Sequence, residues 1–89
     1  MNHSETIAID VLSWLAGEPE LFNRFVGLSG LEASQIRDAA TEPGFLAGVL
    51  EFLINHEPTL IRYCEHANEK PENVARAFRE LGGHMEQGY

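Results

Sequence analysis

The stretch Pro43-Gly44-Phe45-Leu46-Ala47-Gly48-Val49-Leu50-Glu51-Phe52-Leu53-Ile54, followed by Asn55-His56-Glu57-Pro58, decides how this chain folds. Phe45, Leu46, Val49, Leu50, Leu53 and Ile54 recur at the spacing of an α-helix with one broad apolar face. Pro43 suits a first turn, where its missing N–H has no intrahelical partner, and Thr41 is placed to cap it. Asn55 to Pro58 then ends this helix and opens another carrying Leu60, Ile61, Cys64 and Ala67. A strand would need apolar and polar residues to alternate, and they do not.

The same grammar extends in both directions. Ser4 is placed to cap a first helix with Ile7, Ala8, Val11, Leu12 and Leu15 on its inner face, and Trp14 lies off that stripe. Gly17 breaks it, and Glu18-Pro19-Glu20 opens a second helix with Leu21, Phe22, Phe25 and Val26 inward. Gly30 is a natural left-handed cap, Leu31 docks, and a short helix from about Glu32 to Ala40 presents Ile36 and Ala39. After a break at Asn68 to Pro71, a last helix from about Glu72 to Leu81 turns Val74, Ala77, Phe78 and Leu81 inward until Gly82-Gly83 stops it.

Laying Ile7 on Phe45 aligns the first helix with the fourth. Ala8 then faces Leu46, and Val11, Leu12 and Leu15 face the identical Val49, Leu50 and Leu53. One extra residue in the following loop brings Glu18-Pro19-x-Leu21 onto Glu57-Pro58-x-Leu60. Shared helix grammar explains the stripe, but the helix-break-Glu-Pro-x-Leu device at a nearly constant distance points to duplication. The expected fold is therefore all-α: a bundle of five to six short helices, built as two related three-helix units with pseudo-two-fold packing. The units span about 4–40 and 42–81 of a single domain, 1–83, and 84–89 form a C-terminal tail. Each unit has too few apolar residues for its own core, so the two must pack together.

Bulk properties narrow the function classes. A chain of 89 residues makes one domain. Its net charge of −8, from 14 acids against 6 bases, repels phosphate backbones and anionic lipid heads. No nucleic-acid or membrane role is therefore expected; the acidity favours a basic partner surface, and it is also a common route to bare solubility. Cys64 is the only cysteine, so no intramolecular disulfide can form. The N-terminus lacks a basic region followed by an apolar run, and no apolar stretch nears the ~20 residues that span a bilayer. The cytoplasm is the expected setting.

Candidate chemistry is sparse. His56-Glu57 begins like the zinc-protease helix motif, but Leu60 stands where the second ligand histidine is needed. Cys64-Glu65-His66 offers ligand types, yet neighbours one and two apart on a helix point in different directions, and Cys64 lies on the apolar stripe. No two of His3, His56, His66 and His84 stand four apart. Glu72, Arg76 and Glu80 form a self-neutralising row suited to a solvated face. Gly27, Gly30, Gly44 and Gly48 lack the strand-loop-helix setting of a phosphate loop. Trp14, Phe52 and Tyr63 are the candidate interaction surface, because aromatics off a core stripe can anchor partners. For Trp14 and Tyr63 the competing reading is a share in the core.

The chain also resembles domain-of-unknown-function family 3572, found mostly in alphaproteobacteria. The carriers are Trp14-Leu15 followed by Glu18-Pro19, Leu28-Ser29-Gly30-Leu31, and above all Pro43 to Leu53. The likeness covers about residues 5 to 81 and departs mainly in the final residues. It implies a small bacterial helical protein and brings no activity, cofactor or catalytic residue with it. The leading expectation is a non-enzymatic protein-interaction module or adaptor, as monomer or homodimer, with no cofactor. The alternative is a small ligand- or metal-binding regulator using Cys64 and His66.

Overall fold

All four prolines lie in the first turn of a helix, where the absent N–H costs nothing. The computed structural model describes residues 3–83, and these form helices and connecting turns with no strand. In chain order they are α1 (His3–Ala16), α2 (Pro19–Ser29), a 3-10 turn (Ala33–Gln35) running into α3 (Ile36–Ala39), α4 (Pro43–Ile54), α5 (Glu57–Ala67) and α6 (Pro71–Glu80). The radius of gyration is 12.1 Å, matching the ~12 Å of a folded chain of this length, so the helices form one body.

Helix ends follow the sequence. Gly30 closes α2 at φ 76°, and Asn68 closes α5 in the left-handed region at φ 54°. At the end of α6, the Gly82 N–H bonds to the Arg79 carbonyl and the Gly83 N–H to the Phe78 carbonyl, with Gly82 at φ 93°. Any Cβ at Gly83 would run into the Phe78 ring, so close packing demands glycine there.

Three helices make the centre: α6 packs along both α1 and α4, and α1 packs along α4. Their facing residues are fully covered, among them Val11, Leu15, Val49, Leu50, Leu53 and Val74. This arrangement follows from α4, whose inner and flanking positions are nearly all apolar, so it must be covered from several sides. The outer face of α6 is the expected polar row, with Glu72, Arg76 and Glu80 exposed.

Several local expectations need correction. Ser4 is not a cap: it lies inside the first turn of α1, is buried, and donates its hydroxyl to the Glu80 carboxylate on α6. Thr41 does not cap α4; its hydroxyl donates to the Asp38 carbonyl at 3.0 Å and closes α3 instead, while Glu42 precedes α4 without a side-chain cap. The third helix is split, because Glu32 and Gln35 form a reciprocal capping box that tightens the first turn into 3-10 geometry. On α5, Ile61 is exposed and Tyr63 buried, with Thr59 and Cys64 completing the inner face. The expected tail at 84–89 lies outside the described residues.

The third helices of the two expected units are placed differently. The single turn α3 anchors itself through buried Ile36, whereas α6 runs along two other helices at the centre.

Candidate functional site

The aromatic residues singled out from the sequence divide between two helix crossings. On one, Trp14 of α1 meets Tyr63 of α5 edge-on, with ring centres 5.6 Å apart at 68°. On the other, Phe52 of α4 meets Phe25 of α2 at 5.5 Å and 69°, and Phe45 meets the same Phe25 ring at 5.7 Å and 66°. Both are the edge-to-face geometry favoured by the ring quadrupole. Trp14 and Phe52 thus serve separate crossings, and each is half-buried.

Tyr63 cannot be a surface anchor, which corrects the sequence-based assignment. Its side chain is only 2% exposed, and its hydroxyl donates to exposed Asp10 on α1 at 2.7 Å. Burial pushes the phenol well above its ordinary titration range, and the Asp10 hydrogen bond and charge push in the same direction. Around it, the Arg62 guanidinium lies 5.8 Å over the Trp14 ring and pairs with Glu18 at 2.6 Å, while His66 approaches Trp14 at 6.4 Å. The α1/α5 crossing is closed by polar groups.

The α2/α4 crossing is open. Between the helices runs a groove of about 360 Å³, with Phe25, Leu28 and Ser29 on the α2 side and Gly44, Phe45, Gly48 and Phe52 on the α4 side. Glu51 and Asn55 complete it, so the only charged residue lining it is an acid. Leu28 stands at its edge with 74% of its surface in solvent. The glycines follow from α4 itself: Gly44 and Gly48 fall one turn apart on the same face, leaving bare backbone between Phe45 and Phe52.

Sequence reasoning missed this groove apart from Phe52. The available signal was the pair of glycines inside a helix that needs neither for a turn.

The metal-ligand candidates do not converge. Cys64 is buried, and its thiol is pushed up first by burial and then by the Glu69 and Glu72 carboxylates, so it suits packing better than ligation. His66 is exposed beside Trp14, and His56 is tied through Nδ1 to the Thr59 hydroxyl at 2.7 Å. Among the described residues, no three His, Cys, Asp or Glu side chains are grouped to hold a metal ion. Among those residues, too, no helix is long and apolar enough to cross a membrane.

A family model described as "Protein of unknown function (DUF3572)" matches residues 1–84. The chain belongs to that family. No curated protein and no solved structure matches it.

Proposed function

We propose that this DUF3572 domain is a non-enzymatic protein-interaction module whose contact surface is the α2/α4 groove. The observation that carries this reading is Leu28, exposed at the edge of a groove walled by Phe25, Phe45 and Phe52. Burying a leucine side chain stabilises a protein by roughly 1.5–3 kcal/mol, and the domain alone leaves that gain unused here. A partner that covers the groove would collect it, and exposed apolar patches next to aromatic pockets are where partners bind. The cytoplasmic setting belongs to the same proposal, supported by the single, buried Cys64.

The test compares the intact domain with Leu28→Asp as baits in extract of the native cells, with retained proteins quantified by mass spectrometry. Leu28 is exposed, so the variant should fold with stability within about 0.5 kcal/mol of the parent. The expected result is a defined protein held by the parent and lost from the variant. Identical retained sets on the two baits would contradict the reading.

A further inference from the structure

The shape of the α2/α4 groove is not required by the fold that contains it. Gly44 and Gly48 lie in regular helix, neither has positive φ, and no side chain or neighbouring element comes within 4 Å of where a Cβ would stand. Alanine would fit at both places and would favour the helix. Two helix-weakening residues one turn apart, on the wall of an apolar groove, instead suit close approach by something outside the domain.

We infer that the groove receives a basic amphipathic helix of a partner protein, lying along Gly44 and Gly48 with its apolar face against Phe45 and Phe52. The inference rests on the interaction-module reading and names the partner's chemistry. Gly44 to Asn55 spans about 16 Å of helix axis, room for about three turns of a docked helix. Anchors at i, i+3, i+4 and i+7 on such a helix match the turn-by-turn spacing of the α4 side chains. Charge selects the polar face. Glu51 lines the groove, no Lys or Arg does, and the whole chain carries −8, so lysines or arginines flanking the apolar face are attracted. A second copy of the chain fits less well, because it brings the same excess of acid.

The test titrates the isotope-labelled full chain with a synthetic helical peptide of about 18 residues, leucines on one face and lysines on the other, followed by amide NMR shifts. One control peptide carries glutamate in place of lysine, and another has its leucines scrambled off the face. The expected result is saturable movement of the Leu28, Gly44, Gly48 and Phe52 amides, weakening as salt is added. The double variant Gly44→Ala, Gly48→Ala should melt at the same or a higher temperature, yet bind at least about tenfold more weakly. The inference is overturned by shifts centred elsewhere, by no shift at millimolar peptide, by equal binding of the scrambled control, or by full affinity in the double variant. Preference for the glutamate peptide would overturn the basic partner while leaving the groove as a contact surface, so the two readings fail separately. Concentration-dependent shifts of the same amides without peptide would identify a second copy as the occupant and would also overturn the inference.

Discussion

Trp14 meets Tyr63 across α1 and α5 in nearly the geometry with which Phe52 meets Phe25 across α4 and α2. When Ile7 is laid on Phe45, Trp14 falls on Phe52 and Asp10 falls on Gly48. The two crossings thus share an aromatic contact and differ in what surrounds it. On the first, Asp10 accepts the Tyr63 hydroxyl, and His66, three residues beyond Tyr63, lies against Trp14. On the second, Phe25 has no hydroxyl, Gly48 has no side chain, and Leu28, three residues beyond Phe25, stands in solvent. One crossing is thus sealed by polar groups, and the other is open and apolar. Side chains at a few positions mark the difference: Asp10 and His66 cover the one crossing, while Gly48 and Leu28 leave the other uncovered.

The largest effect comes from removing the ring that Phe45 and Phe52 both touch. Phe25→Ala should cost about 3–5 kcal/mol, because it deletes a buried ring touched by both Phe45 and Phe52. Denaturant unfolding measures this, and a cost below ~1 kcal/mol would mean that the crossing is not built around Phe25.

A smaller change addresses the sealed crossing. Tyr63→Phe should cost about 0.5–1.5 kcal/mol near neutral pH, since the lost hydrogen bond reaches a carboxylate that water can still solvate. The pH dependence adds a second signature. The Tyr63 phenol titrates higher in the folded domain than in the unfolded chain. Its contribution is therefore fully present below an unfolded value of about 10 and is lost as pH rises through the higher folded value. Melting curves from neutral to strongly alkaline pH should fall more steeply for the parent than for Tyr63→Phe, and parallel curves would contradict this account.

The smallest effect has the opposite sign. Gly48→Ala should stabilise the domain by about 0.5–1 kcal/mol, because α4 gains a better helix former and the added methyl meets nothing. A measured loss of stability would show that Gly48 is needed by the fold itself, and the contrast between the crossings would lose its functional meaning.

Much of the architecture was legible because it depends on local signals. The prolines, the Gly30 and Gly82 stops, and the apolar stripes of α1, α4 and α6 each act within a turn or two of the chain. Ser4 and Thr41 misled because a short hydroxyl bonds to whichever acceptor the fold brings near: Glu80 on α6 for Ser4, and the Asp38 carbonyl for Thr41. Tyr63 and Ile61 exchanged places because α5 is only modestly apolar, and its rotation is set by Asp10 and Trp14 on another helix.

That the protein is helical, that its prolines open helices and Gly30 and Gly82 stop them, and that its net charge is acidic follow from the sequence, because those properties arise from neighbours in the chain and from summed charge. Only the tertiary structure decided that α6 occupies the centre beside α1 and α4, and that Asp10 closes one crossing while Gly48 leaves the other open. Those outcomes depend on contacts between residues far apart in the chain, such as Asp10 with Tyr63 and Phe25 with Phe52, which no local pattern records.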